Sequence, residues 1–356
     1  MFASKVRLPL SLGILLAGAV AAHAQSFVMS LPRPSQRAVA MQRIGLTDIT
    51  VTYHRPLVGG RKVWGALVPS GQVWRAGANE NTTIEFTSPV SIEGQALPKG
   101  IYGLHTIPTA DSWTIIFSKM ASAWGSFTYD QKEDALRVTV KPQPAEFHEA
   151  LAYDFDDVTA DSAVVTLRWE KLAVPFRVTV DKEVTFDTIR RQFRDLSQYT
   201  WQSWNDAAGY CLSVNANLDE ALRWSDRSIQ MEDRFDNEMT KAGLLTALNR
   251  DADAAKSRAR AFEIGNPAQL YSYFRGLQSQ KKKQEAIDGY KLVAKRFPDH
   301  WIGHIAKARV YASEDNFEKA LQEIEAAKTA GIPDATKPSL EVLKKRLENK
   351  EDVNTR

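Results

Sequence analysis

The spacing of the apolar residues changes near residue 185, and no single secondary-structure layer accommodates both patterns. From about Arg37 to Val180 apolar and polar residues alternate with period two in short runs broken by Gly and Pro. Beyond about Phe186 the apolar positions recur every 3.6 residues or so, the helical period. Of the 17 Gly and 14 Pro that follow residue 24, ten of each fall between Gln25 and Val184, so turn chemistry is concentrated in the first half. These patterns predict two domains, all-β over 25–184 and all-α over 185–350. A chain of 356 residues, 44% hydrophobic, is long enough to bury a core in each, which excludes disorder as an overall description.

In the first half, strands are expected at Asp48 to His54, Thr82 to Phe86, Ile101 to Ile107, Trp113 to Phe117, Leu136 to Val140, Ala150 to Phe155, Ala163 to Trp169 and Phe176 to Val180. Most intervals are too short for a crossover helix, so antiparallel pairing is expected. Gly94, Pro98 and Gly100 mark tight corners between extended pieces. Strands of this number and length suit a β-sandwich or jelly roll, although a small barrel satisfies the same alternation.

In the second half a small residue repeats at Ala221, Ala255, Ala286 and Ala320, 34, 31 and 34 residues apart. That is the arithmetic of a helix-turn-helix solenoid, in which no pair of helices can bury its stripe alone. The segments Asn217-Leu218-Asp219-Glu220-Ala221-Leu222 and Asn316-Phe317-Glu318-Lys319-Ala320-Leu321, with Pro298 after Arg296-Phe297, resemble the tetratricopeptide-repeat family over roughly residues 200–331, the second repeat being degenerate. The charged stretch from about Pro338 to Lys350 is expected to cap the array, and Glu351 to Arg356 to fray as a tail. The resemblance implies a concave surface for a protein or peptide, with Trp201, Trp204, Trp224 and Trp301 as candidate contacts or core.

Lys5 and Arg7 precede an apolar stretch from Leu8 to Ala22, and Ala22-His23-Ala24 puts small residues before a cut at Gln25. This is the anatomy of a secretory signal peptide over residues 1–24, so a periplasmic or secreted location is expected, with no stable membrane span after cleavage. Cys211 is the single cysteine, which excludes an intrachain disulfide; it reads as a small buried hydrophobe. The formal net charge of +3 argues against long-range steering to nucleic acid, and no nucleic-acid partner is expected.

The densest chemistry lies in Tyr53-His54-Arg55-Pro56, Gly59-Gly60-Arg61-Lys62-Val63-Trp64-Gly65 and Val73-Trp74-Arg75-Ala76-Gly77-Ala78-Asn79-Glu80-Asn81. Arg55, Arg61 and Arg75 supply forked donors for a carboxylate or phosphate, Trp64 and Trp74 apolar platforms, and Asn79 and Glu80 polar anchors. The competing reading is a long loop pinned to the β domain by Arg-backbone bonds and Trp packing. His54 and His105 are candidate proton carriers. With Leu97-Pro98-Lys99-Gly100-Ile101-Tyr102, Trp113-Thr114-Ile115-Ile116-Phe117, Trp124-Gly125 and Leu167-Arg168-Trp169-Glu170, these segments resemble the bacterial domain-of-unknown-function family 2911. The resemblance implies a secreted or periplasmic β domain, sometimes joined to repeats, and carries no reaction or residue roles.

No local spacing among His54, His105, His148 and Glu80 matches a zinc site, and His300 and His304 lack a third ligand, so no metal is assigned. The acidic residues Asp154, Asp156, Asp157 and Asp161 lack a calcium-loop pattern. Ser122 and Ser126 read as loop polar groups unless a His and a carboxylate meet them in space. There is no Gly-x-Ser-x-Gly, Walker loop or dinucleotide fingerprint, and the cofactor, like any catalytic residue, stays unassigned. The function expected is a noncatalytic periplasmic or secreted binding or assembly module whose solenoid contacts protein or peptide. The alternative is a small polar-ligand receptor, or an enzyme of unknown reaction, using the β domain.

Overall fold

The computed structural model describes residues 31–355, so the expected signal peptide lies outside the described residues. The chain divides between Asp181 and Lys182 into a β unit and a helical unit. The β unit is a two-sheet antiparallel sandwich and not a barrel. One sheet has the order β1-β2-β3-β6-β7-β8, built from Gln36–Ile44, Thr47–Arg55, Thr83–Phe86, Gly100–Pro108, Trp113–Ser118 and Asp134–Val140. The other has the order β5-β4-β10-β9, from Gln95–Leu97, Val90–Ile92, Ser162–Thr179 and Gln143–Asp156.

Alternation decides which face is inside. In β2, Thr47, Ile49, Val51 and Tyr53 are buried while Thr50, Thr52 and His54 take the opposite face. Ile84 and Phe86 of β3, Leu104 of β6, Phe117 of β7 and Phe176 of β10 fill the same interior. Two details differ from expectation. Strand β1 is an additional edge strand, half-exposed along its length. The expected strands Ala163 to Trp169 and Phe176 to Val180 are one strand, β10, whose register with β9 shifts on either side of Glu170; Glu170 has φ 55°, so the ladder bends without ending. The corner at Gly94 is a two-residue hairpin, with Ile92 facing Gln95 and both Glu93 (φ 48°) and Gly94 (φ 79°) left-handed. Two left-handed residues are the twist a tight antiparallel hairpin requires.

One end of the sandwich is closed by four indoles. Trp113 comes from one sheet and Trp169 from the other, and both are 1% exposed. Trp64 packs edge-on against Trp74, Trp113 and Trp169, and Trp74 stacks on Trp169 at 6.0 Å. The segment between β2 and β3 is therefore bolted to both sheets by aromatic packing.

The helical unit starts with α1 (Lys182–Gln192) and continues as antiparallel pairs: α2 (Trp201–Ser213) with α3 (Leu218–Met231), α4 (Phe235–Ala247) with α5 (Asp251–Ile264), α6 (Pro267–Ser279) with α7 (Lys283–Arg296) and α8 (Trp301–Ser313) with α9 (Phe317–Thr329). A single helix, α10 (Lys337–Glu348), follows and packs on α9. Every pair turns through one left-handed residue: Asn215, Asn249, Lys281 and Asp315, 34, 32 and 34 residues apart. In each turn the next amide reaches back to the carbonyl five residues earlier, as from Ala216 to Cys211 and from Asn316 to Tyr311. This recurring C-cap sets the phase of the array.

That phase corrects the small-residue repeat. Ala221, Ala286 and Ala320 are fully buried, but in the second pair Ala254 is buried and Ala255 is exposed. The true spacings of Ala221, Ala254, Ala286 and Ala320 are 33, 32 and 34 residues. Among the tryptophans, Trp224 is core and Trp204 stacks on Phe193 at 3.7 Å, whereas Trp201 and Trp301 are half-buried. Cys211 is fully buried, and burial pushes its thiol up to about 11, so it is a core residue.

The tail does not fray. Lys350 adopts the same left-handed turn (φ 54°) that ends α2, α4, α6 and α8, and Glu351 repeats the backward amide bond to Arg346. Instead of starting a helix, the chain then folds back: Val353 is 0% exposed and Asn354 1%. Hydrogen bonding of its carbonyls to buried side chains is what holds it, a feature that polar composition does not reveal.

Candidate functional site

The outer face of the six-stranded sheet carries both candidate histidines. A cleft of about 570 Å³ opens over β1, β2 and β3, lined by Arg33, Gln36, Arg37, His54, Glu80 and Asn81 among others. Glu80 organises it. Nη1 of Arg33 donates to both Glu80 oxygens at 2.6 and 2.9 Å, and Nε2 of His54 lies 3.4 Å from the same carboxylate. The Arg33 guanidinium also sits 5.3 Å from the Trp124 ring, while the Glu80 backbone bridges to Trp124. Asn79, left-handed at φ 59°, donates to the carbonyl of Ser35 at 3.3 Å and ties the two rims together.

Electrostatics follow from that packing. Burial lowers the His54 pKa, the Glu80 charge opposes this, and Arg33 and Arg37 reinforce it. Burial alone would raise Glu80, but the Arg33 hydrogen bonds and the Arg33 and His54 charges hold it below the ordinary carboxylate range. The cleft thus presents a neutral imidazole beside a carboxylate already engaged by a guanidinium. Asn81 is 6% exposed and donates to Met120 O at 3.4 Å, while its own Oδ1 is enclosed and has no partner among the described residues, a costly state for a buried acceptor.

His105 is buried apart from the cleft, under the loop that follows β7. It is 2% exposed, and its Nδ1 is 2.9 Å from the Ser126 hydroxyl. Its ring lies 5.4 Å from that of Tyr129, whose hydroxyl donates to Asp134 at 2.7 Å. Arg137 Nε donates to the same Asp134 oxygen at 2.5 Å. A His therefore meets Ser126, but the Asp134 carboxylate is taken up by Tyr129 and Arg137 and acts on His105 only through its charge, and burial lowers the imidazole to about 4 against that charge, which makes it a weak base at neutral pH. Unfolded, this imidazole protonates near 6.5; folded, only near 4. Stability is full above 6.5 and lost as pH falls toward 4. The β domain should lose about 2 kcal/mol between pH 7 and pH 5 from this one group. Urea titrations at the two pH values, with wild type and His105→Gln, check it: a drop of the same size in the variant would refute the assignment.

The remaining candidates do not enter the cleft. Arg55 Nε donates to Leu151 O at 2.9 Å and ties the end of β2 to β9, while Arg61 donates to the carbonyls of Val58 (3.0 Å) and Leu57 within its own loop, so both are spent on backbone acceptors. Trp64 and Trp74 belong to the aromatic plug. Arg75 is half-buried, its Nε has no partner among the described residues, burial lowers its pKa, and a Cβ on Gly125 would stand 2.7 Å from its Nη1. Glu80 and His54 converge, with Asn79 at the rim. Sequence reasoning missed Arg33, Gln36, Arg37 and Asn81; the signal for the first was Pro32-Arg33-Pro34, where flanking prolines keep the backbone extended. Among the described residues no group of three or more His, Cys, Asp or Glu is placed to hold a metal.

Residues 35–178 match the family described as "Protein of unknown function (DUF2911)". The matched region contains both sheets of the sandwich, the cleft residues from Gln36 to Asn81 and the buried His105, while Arg33 lies two residues ahead of it. A similar solved structure is YrrB, described as a TPR protein with an unusual peptide-binding site: it is 17% identical, the alignment covers 44% of this chain and 97% of that one, and the TM-score is 0.22. No curated protein matches the sequence. Among the described residues no helix is long and apolar enough to cross a membrane.

Proposed function

We propose that this protein is a noncatalytic binding or assembly module, periplasmic or secreted, whose helical solenoid contacts a protein or peptide. The observation that carries the reading is the stacking of four helix pairs in one phase, each turned by the same left-handed C-cap. Such arrays lay equivalent helices side by side: α2 touches α4, and α6 touches α8. They offer a long continuous surface in place of a closed reaction chamber. Export rests on Lys5, Arg7, the apolar stretch to Ala22 and Ala22-His23-Ala24.

Affinity capture with the intact protein, followed by mass spectrometry, tests this. Partners should be retained by wild type and lost when Trp301, half-buried on α8, is replaced in Trp301→Ala without loss of helix signal. Retention of the same partners by a chain lacking residues 182–356 would overturn the assignment to the solenoid.

A second reading takes the β-domain cleft as a receptor for a small polar ligand, favoured by the cleft over β1, β2 and β3 and the His54–Glu80 pair that lines it. Metabolites released on denaturing the purified protein should then disappear in Glu80→Gln; an unchanged set would end this reading.

A further inference from the structure

We propose that the surface of α6 and α8 around Arg309 is a binding site for a short acidic peptide carrying an aliphatic residue, and that the chain's own residues 351–355 occupy it. The inference rests on the solenoid being a partner-binding element and names the place and the chemistry.

Arg309 is 6% exposed, and no carboxylate among the described residues pairs with it. Its guanidinium lies 6.0 Å from the Tyr271 ring and 5.6 Å from that of Tyr290. Its Nε donates to the Tyr271 hydroxyl at 2.8 Å and its Nη1 to the carbonyl of Val353 at 2.6 Å. Gln278, also 6% exposed, donates through Nε2 to the carbonyls of Val353 and Thr355, each at 3.2 Å. Asn354 answers by donating to Arg309 O at 2.8 Å. A buried cation without a counter-ion among the described residues is an expensive element in a helical core. Here one of its donors, together with the Gln278 amide, is aimed at the backbone carbonyls of a turn, which is how a receptor reads a peptide.

The tail also shows which side chains the site accepts. Val353 is completely buried, Asp352 pairs with Lys283 at 2.5 Å, and Glu351 pairs with Arg346 at 3.0 Å. Beside it, through Tyr271 and Arg309, runs a groove of about 410 Å³ floored by Trp301, Ile305 and Leu340 and flanked by Arg275. Arg275 reaches only Gln278 among the described side chains, at 2.7 Å. Basic flanks with an aliphatic well fit an acidic peptide with one buried aliphatic side chain. The tail is tethered directly to α10, so it holds the site at high effective concentration, and a free peptide must displace it.

A fluorescein-labelled peptide with the sequence of residues 351–356, titrated by anisotropy into the full-length protein, tests the proposal. Val353→Asp, which cannot keep the tail docked, should bind the peptide at least about tenfold more tightly than wild type. Val353→Ala should fall between them and serves if the first variant misfolds by circular dichroism. Adding Arg309→Met to either release variant should abolish binding, and a peptide with Gln and Asn for its two acidic residues should bind at least about tenfold more weakly. Folded release variants that ignore the peptide, or bind it regardless of Arg309 or of its acidic residues, would overturn the site. A tail-exchanged dimer in sedimentation would overturn it too, by assigning the surface to a second copy. Partners captured equally by wild type and Val353→Asp while the peptide fails would remove this site and leave the partner-binding role of the solenoid standing.

Discussion

Gly303→Ala should destabilise the helical unit by about 3 kcal/mol or more, although the same substitution in an open helix is stabilising by about 1 kcal/mol. Gly303 lies in the first turn of α8, where that helix crosses the end of α7. A Cβ there would stand 1.8 Å from the carbonyl oxygen of Phe297 and 2.9 Å from its carbonyl carbon. The obstacle is backbone, and that carbonyl already accepts the amide of His300 in the turn between the helices. No rotamer relieves it, so α8 must move off α7 and open the contacts that Ile302 and Ala306 make with Val293 and Tyr290. Gly276, in α6, has nothing within 4 Å of its would-be Cβ. Gly276→Ala should therefore gain up to about 1 kcal/mol. Denaturant titrations followed by far-UV circular dichroism read both. Equal stability of the two variants would mean that α8 does not approach the Phe297 carbonyl closely enough to exclude a methyl group.

The contrast between these two glycines shows what residues reveal in advance and what they do not. Period two and period 3.6 separate the β and α halves because alternation and helical spacing follow from which face is buried, a local property. The choice between Ala254 and Ala255 is not legible: both are Ala, and only the left-handed turn at Asn249 sets the helix phase that buries one of them. The break expected between Trp169 and Phe176 fails for a related reason. Glu170-Lys171 carries the alternation on, but the register shift by which β10 runs past it to Phe176 depends on pairing with β9 and has no signature in the residues themselves. In the cleft, His54 and Glu80 are legible as chemistry but their partner Arg33 is not, since it is joined to them by topology and not by spacing. Arg55 and Arg61, by contrast, are chemically suggestive and structurally employed. Arginine near backbone carbonyls satisfies orphan acceptors as readily as it binds anions. The docked tail is least legible of all, because the groups that hold it, Gln278 and Arg309, sit on two different helices far from it in sequence.

Trp169→Ala should cost the β sandwich about 3–5 kcal/mol, the range for truncating a buried aromatic. Trp169 is 1% exposed and lies between Trp74, stacked at 6.0 Å, and Trp64, edge-on at 5.7 Å, with Trp64 in turn 5.1 Å from Trp113. Removing it leaves a void that three rigid rings cannot fill, and frees the β2–β3 segment from the sheet that carries β10. The cleft should feel the loss, because that segment supplies Glu80 and Asn81. The indole Nε1 of Trp169 has no acceptor among the described residues, so Trp169→Phe forfeits ring volume but no hydrogen bond. It should recover more than half of the stability that Ala loses. Trp124 is 53% exposed, and Trp124→Ala should stay within about 0.5 kcal/mol of wild type. Near-UV circular dichroism reports the stacked indoles directly and should lose the Trp74–Trp169 contribution in both Trp169 variants and keep it in Trp124→Ala. A loss of under about 1 kcal/mol in that variant would mean that the plug relaxes around the gap, and that the two sheets are held together by the Tyr53–Tyr153 contact and the aliphatic interior without it.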